Sequence, residues 1–335
     1  DEAKFLAGGH SLIPLMKLRL AQPTMLVDIG RVKDLSYIKD AGDHIAIGAL
    51  TRHMDVEKSP VLSQHVPLLA HAAGYVGDAQ VRHRGTIGGS IAHADPASDL
   101  TATTLALGAT YVVQGPNGKR EIAAKDFYKG FLESALAADE MLVEIKVPKM
   151  NGAGWSFQKF NRRAVDWAIV GVAAWRNNGD SGVALVNMGS TPVLAGAVSS
   201  ALAKGASVAD AAAHAADDAE PQADLNASVE YRTHLAKVLG VVLLVSWVWL
   251  ILENLLRERI ARRFGWNPTV VRALFVIISV VSAAFPGLLV YLVLCALLVR
   301  FVVRPALARL ALTAHAARDR LAVLLCFVIA SALAT

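Results

Sequence analysis

The feature that most constrains the fold is a pair of Gly-Gly sequences, each between an apolar segment and a predicted helix. The first is Ala7-Gly8-Gly9-His10-Ser11. The second, Thr86-Ile87-Gly88-Gly89-Ser90, precedes a helix predicted to have Asp95 as its N-cap and Pro96 in its first turn. Glycine lets the backbone approach a ligand closely, and open amides near a helix start are typical of anion sites. One Gly-Gly alone is ordinary turn sequence. Two such elements predict a domain that grips a diphosphate from two sides.

The two motifs, their order and their separation resemble the FAD-binding medium subunits of molybdenum-containing hydroxylases. The aerobic carbon monoxide dehydrogenase branch is the most similar, because it shares the sequence from Ala7 to Pro14 and the Thr-Ile-Gly-Gly of the second motif. The resemblance covers residues 1–239. It implies a subunit that carries FAD and transfers electrons. The complete oxidoreductase would convert CO and water to CO2, and electrons would pass from molybdenum to [2Fe–2S], to FAD, and then to a quinone or another acceptor.

The resemblance also implies an α+β fold. Residues 1–150 would form an FAD-binding domain with two subdomains, of the vanillyl-alcohol-oxidase type. Residues 151–239 would form a smaller domain in which helices pack on a three-stranded antiparallel sheet. The opening strand and helix of the family are missing from the sequence, so the resemblance suggests that the chain begins inside the first domain.

The predicted cofactor-binding residues also come from the resemblance. Asp99 and Lys159 match positions that contact or approach the flavin, and Trp167 replaces a tyrosine beside the isoalloxazine ring. This replacement keeps a stacking surface but loses the hydroxyl. Each residue has a structural alternative: Asp99 at a helix start, Lys159 as a solvated strand residue, and Trp167 as a packing aromatic. The residues predicted to hold the diphosphate are Ala7, Gly8, Gly9, His10, Ser11, Thr86, Ile87, Gly88, Gly89 and Ser90.

The chain offers little other chemistry. A metal site of His93, Asp95 and Asp99 is conceivable but not favoured, and no acid–base pair or activated nucleophile stands out, so we predict no catalytic residue. The two cysteines, Cys295 and Cys326, leave residues 1–239 with no Cys ligand for an iron–sulfur cluster. The resemblance therefore implies two partners, a small iron–sulfur subunit and a large molybdenum-cofactor subunit, in a dimer of heterotrimers.

Charge and hydropathy divide the chain near residue 240. Residues 240–335 contain ten of the 33 basic residues and three of the 28 acidic ones, so residues 1–239 are nearly neutral, which argues against a nucleic-acid-binding face. Residues 273–299 are uncharged and exceed the roughly 20 residues that a spanning helix needs. We therefore predict a helical membrane segment in residues 240–335. Residues 257–299 resemble a phage-shock-protein-C type membrane domain. Arginines on both sides of residues 273–299 favour the cytoplasmic face of the cell membrane.

Two other functions stay open from the sequence. One is a non-redox membrane protein of the envelope-stress kind, with a degenerate ligand-binding domain. The other is a stand-alone flavin oxidase, which would show flavin reduction by a substrate without partner subunits.

Overall fold

The computed structural model describes residues 3–177 and 179–240. The membrane prediction for residues 240–335 falls almost wholly outside these residues. Within them, no helix is both long enough and apolar enough to cross a bilayer.

The strands in the described part of the chain form four sheets. β1 and β2 pair in parallel, and the other three sheets are antiparallel: a five-stranded sheet of order β3-β4-β9-β5-β6, a four-stranded sheet of order β10-β11-β12-β13, and the hairpin β7-β8. The strands are β1 Ala3–Leu6, β2 Met25–Asp28, β3 Ile38–Asp40, β4 His44–Gly48, β5 Thr110–Gly115, β6 Gly118–Ala123, β7 Tyr128–Gly130, β8 Glu133–Ser134, β9 Met141–Pro148, β10 Gly154–Phe160, β11 Val170–Asn177, β12 Asp180–Val186 and β13 Val193–Leu194.

The helices are short, and most of them lie between β4 and β5 or after β13. One 3₁₀ turn spans Lys33–Leu35. The last helix, α11, is helical from 229 to the end of the described residues at 240. The others are α1 Leu12–Lys17, α2 His53–Lys58, α3 Pro60–His65, α4 Pro67–Ala73, α5 Ala79–Arg84, α6 Ile87–His93, α7 Asp99–Ala106, α8 Ala124–Phe127, α9 Gly196–Ala203 and α10 Val208–Ala213.

Helix α7 packs on the β10–β13 sheet and carries Asp99 as its first residue. All eight of its residues are buried. Its threonine hydroxyls are satisfied internally; for example, Thr103 Oγ1 donates to the Asp99 carbonyl at 2.7 Å. At its other end, the Trp175 indole of β11 donates to the Ala106 carbonyl at 2.6 Å. This hydrogen bond fixes the C-terminal end of α7 to β11, so α7 connects the first 150 residues to the β10–β13 sheet.

The opposite face of the β10–β13 sheet packs on α9, α10 and α11 and forms a second hydrophobic core. Apolar side chains from the sheet, such as Val172 and Leu185, contact Val198 and Leu202 of α9 within that core. Arg232 of α11 is 2 % exposed and donates from Nη2 to Asp224 Oδ2 at 2.7 Å. This buried cation fixes α11 to the domain.

The α+β prediction is confirmed, with three corrections. The second sheet has four strands and not the predicted three, because residues 193–194 pair with β12 as a short fourth strand. The helix predicted from Pro96 begins at Asp99, with Ser98 as its N-cap. Asp95 does not cap this helix, because its Oδ1 accepts from the Ala97 backbone N–H at 2.8 Å and closes a local turn.

Candidate FAD-binding groove

The two Gly-Gly motifs line one groove of about 440 Å³, within the usual range for cofactor sites. The first motif connects β1 to α1, and the second forms the start of α6. The segments meet directly: a Cβ on Gly8 would lie 2.3 Å from the Arg84 carbonyl oxygen and 2.8 Å from Gly85 Cα. Of the thirteen residues predicted to bind cofactor, nine line the groove, all from the two motifs: Ala7, Gly8, Gly9, His10, Ser11, Thr86, Gly88, Gly89 and Ser90.

The first motif carries the open amides. Gly9 adopts φ +75°, which favours glycine, and the chain then turns into α1 with a bond from the Ile13 N–H to the Gly9 carbonyl at 3.1 Å. Among the described residues, no protein acceptor takes the backbone N–H groups of the five consecutive residues from Gly8 to Leu12. Successive free N–H groups in such a turn form an anion-binding concavity.

The second motif differs from the prediction, because its backbone N–H groups already donate hydrogen bonds to other protein groups. The Gly88 N–H donates to the Ala49 carbonyl at 2.9 Å, and the Gly89 N–H donates to Thr86 Oγ1 at 3.2 Å. The N–H groups of the two residues that flank these glycines donate to Thr51 and Thr86 carbonyls. The motif is therefore a capped helical turn and not an amide loop. Its glycine is needed for close packing, since a Cβ on Gly88 would lie 2.6 Å from the Ala49 carbonyl oxygen.

His53 also lines the groove, although the sequence analysis did not identify it. It is 3 % exposed, its Nε2 lies 3.2 Å from Ser90 Oγ, and its Nδ1 has no partner among the described residues. Burial lowers the pKa of His53 to about 4. A serine thus lies beside a histidine in the groove, a pair that the sequence analysis did not identify. No sequence pattern indicated this pair, because 37 positions separate the two residues.

The pKa of His53 gives a stability prediction. Between pH 6.5 and 4 the unfolded chain binds a proton at His53 that the folded chain does not, so acidification destabilises the fold. We expect the free energy of unfolding to fall over this range by up to about 3 kcal/mol more in the wild type than in His53→Gln. Urea unfolding of both proteins across this range is the measurement, and parallel pH profiles would contradict the prediction.

Asp99 and Lys159 lie outside the groove lining and contact each other. Lys159 Nζ is 2.7 Å from Asp99 Oδ2 and donates to the Tyr75 carbonyl at 3.0 Å. The two side chains are 5 % and 3 % exposed, and Asp99 Oδ1 has no partner among the described residues. Burial raises the pKa of Asp99 to about 6, although the Lys159 charge acts in the opposite direction. Trp167 is 62 % exposed and does not line the groove.

Glu140 and Arg82 are each paired with a charge of opposite sign. Glu140 lines the groove, but Arg120 donates to both of its oxygens at 2.6 Å and holds its pKa at about 2. Arg82 Nε donates to Glu57 Oε2 at 2.9 Å. No group of three or more His, Cys, Asp or Glu side chains in residues 3–177 and 179–240 could hold a metal ion.

Comparisons with known proteins identify the family. Residues 1–150 match the FAD-binding domain in molybdopterin dehydrogenase, and residues 155–244 match the CO dehydrogenase flavoprotein C-terminal domain. The carbon monoxide dehydrogenase medium chain of Hydrogenophaga pseudoflava is 42 % identical over 246 residues, which is 70 % of this chain and 86 % of the relative. The chain belongs to the FAD-binding medium subunits of the molybdopterin dehydrogenase family.

Solved structures of the medium-subunit family share this fold. Carbon monoxide dehydrogenase from Hydrogenophaga pseudoflava lacking the Mo-pyranopterin moiety gives a TM-score of 0.70 at 39 % identity, covering 74 % of this chain and 90 % of that one. Quinoline 2-oxidoreductase from Pseudomonas putida 86 gives a TM-score of 0.68 at 31 % identity, and the match covers 73 % of this chain and 89 % of that one. Residues 227–280 also match a family of unknown function. The comparisons do not support a phage-shock-protein-C type segment.

Proposed function

We propose that this chain is the FAD-carrying electron-transfer subunit of a molybdenum hydroxylase that oxidises carbon monoxide. The single observation that carries the proposal is the run of free amides from Gly8 to Leu12, in a groove shared with the second Gly-Gly motif. These N–H groups fit the diphosphate of FAD, because they supply several donors in one turn without a competing protein acceptor. The named function of the 42 % identical medium chain supports carbon monoxide as the substrate of the complete enzyme.

The chain's own residues bind and orient the cofactor. The Gly8–Leu12 amides would hold the diphosphate, and the capped turn at Thr86 forms the facing wall of the groove. Bound FAD would supply one- and two-electron chemistry, which suits a relay between a one-electron cluster and a two-electron acceptor. Flavin contacts by Asp99, Lys159 and Trp167 stay predictions.

Partner subunits follow from the same proposal. A small subunit with [2Fe–2S] and a large subunit with the molybdenum cofactor would complete the path, and the large one would select the substrate. A dimer of heterotrimers, a quinone acceptor, and attachment to the cytoplasmic face of the membrane through residues 240–335 stay predictions. The relatives do not favour the non-redox envelope-stress alternative.

The test is anaerobic reduction of the flavin by CO. The full chain co-expressed with its small and large subunits is expected to lose its oxidised-flavin absorbance when CO is added. The full chain alone, loaded with FAD, is expected to stay oxidised because it lacks the substrate site. Reduction of the isolated chain by CO would support a stand-alone oxidase. A complete complex whose flavin stays oxidised would contradict the assigned substrate.

A further inference from the structure

The groove contains one buried polar side chain that the proposed function leaves unexplained, His53. Its ring is held in place by the segments that carry the second Gly-Gly motif. The backbone N–H of His53 donates to the Gly85 carbonyl at 3.0 Å, and the backbone of Arg52 forms an antiparallel β-bridge with Thr86. A Cβ on Gly85 would lie 2.7 Å from His53 Cδ2 and 2.8 Å from Nε2, so the backbone of residue 85 lies directly against the ring. The imidazole therefore has a fixed position relative to α6.

The position of the ring proton decides what Ser90 can do. Burial keeps His53 neutral near pH 7, so one ring nitrogen carries a proton and the other is an acceptor. A proton on Nδ1 would leave a buried N–H without an acceptor, and orphaned buried N–H groups are rarer than under-satisfied acceptors. A proton on Nε2 has an acceptor, because Ser90 Oγ lies 3.2 Å away and can accept a hydrogen bond from Nε2–H. The geometry thus favours the Nε2–H tautomer.

We propose that His53 is a positioning residue: its Nε2–H donates to Ser90 Oγ and thereby leaves the Ser90 hydroxyl free to donate to an anionic oxygen in the groove. Under the proposed function, on which this inference rests, that oxygen belongs to the FAD diphosphate. Ser90 lines the same groove as the Gly8–Leu12 amides, and its Oγ has no other partner among the described residues. The pair adds one neutral donor to the amides of the first motif.

The same arrangement is unsuited to nucleophilic catalysis by Ser90. A serine nucleophile needs an imidazole that accepts its proton, with a third group to orient the imidazole through the other nitrogen. His53 Nδ1 faces no such group in the part of the chain that the structure describes. Ser90 is therefore a binding residue and not a catalytic one.

The test is FAD affinity of the full chain, measured by flavin fluorescence in a double-mutant cycle. His53→Phe is expected to weaken FAD binding by up to about tenfold, because Ser90 Oγ loses the neutral donor that orients its hydroxyl towards the diphosphate. His53→Gln, whose Nε2 can still donate, is expected to stay within about threefold of the wild type. In a Ser90→Ala background, His53→Phe is expected to cause no further loss. Riboflavin, which has no phosphate, is expected to bind all His53 variants equally.

The outcomes separate this inference from the proposed function. If the wild-type chain binds no FAD, the proposed function fails. If FAD binds but His53→Phe has the same effect with and without Ser90→Ala, His53 has only a structural role and the inference is overturned. Nitrogen-15 NMR of the histidine-labelled wild type measures directly which ring nitrogen of His53 carries the proton. Protonated Nε2 supports the inference, and protonated Nδ1 overturns it; the signal is assigned by its absence from the His53→Gln spectrum.

Discussion

Lys159→Met is expected to lower the free energy of unfolding by about 3–5 kcal/mol at neutral pH, the usual cost of removing one partner of a buried ion pair. The substitution leaves the carboxylate of Asp99 in a site where its Oδ1 already has no partner among the described residues. It also removes the donor to the Tyr75 carbonyl. Equilibrium urea unfolding of the full chain, followed by tryptophan fluorescence, measures the loss.

Two controls test the reason for this loss. Lys146→Met removes a cation from an exposed pair, since Lys146 and Glu121 are 27 % and 55 % exposed, and is expected to cost less than about 1 kcal/mol. Adding Asp99→Asn to Lys159→Met is expected to recover part of the stability, because the unpaired charge is then absent. If Lys159→Met were as mild as Lys146→Met, the buried pair would not contribute as described.

The pH dependence of the Lys159→Met effect has a definite sign. The folded-state pKa of Asp99 is raised from 3.8 to about 6 by burial, so its charge destabilises the fold increasingly as pH rises through that range. Lys159 lowers this pKa, and its removal is expected to raise it further. The destabilisation should therefore shrink as the pH is lowered towards 4, where Asp99 is protonated and carries no charge.

Gly8→Ala is expected to weaken FAD binding about 10- to 100-fold, which corresponds to the 1–3 kcal/mol typical of overpacking. The added methyl group would lie 2.3 Å from the Arg84 carbonyl oxygen, and backbone atoms cannot move aside as a flexible side chain can. The first motif must shift away from residues 84–85, which displaces its free amides from the second motif. Fluorescence titration of the full chain with FAD gives the affinity.

Gly196→Ala is the matched control for this change. At the start of α9, a Cβ would meet only Asp218 Oδ2, at 3.9 Å, so unchanged FAD affinity is expected. Wild-type affinity in Gly8→Ala would show that contact between the two motifs is not needed for binding.

The local elements were largely predictable from the sequence. Turn glycines favour the hairpin β5–β6, and a proline at the helix start favours α4, because both are local signals in the sequence. The predicted start of α7 was wrong. An Asp95 side chain can either cap a helix or close a local turn, and the sequence alone does not distinguish the two.

The candidate site was predictable only in part. The two motifs indicated a shared groove because each shows glycines beside a helix start. The sequence did not indicate which motif keeps free backbone N–H groups. In the second motif they donate to the carbonyls of Ala49 and Thr51, which are distant in sequence. The Asp99–Lys159 pair joins residues 60 positions apart, and the sequence contains no pattern that marks this distance. Such contacts depend on how α7 packs on the β10–β13 sheet.

The identity and amount of flavin bound by the full chain test the central claim most directly. The chain is purified, loaded with excess FAD, freed of unbound flavin, and denatured, and the released flavin is then identified by chromatography. The groove formed by the Gly8–Leu12 amides and the Thr86–Ser90 turn predicts one FAD per chain, with ADP as a competitor because it carries the same diphosphate. A folded chain that retains no flavin, or whose bound FAD is insensitive to ADP, would contradict the account.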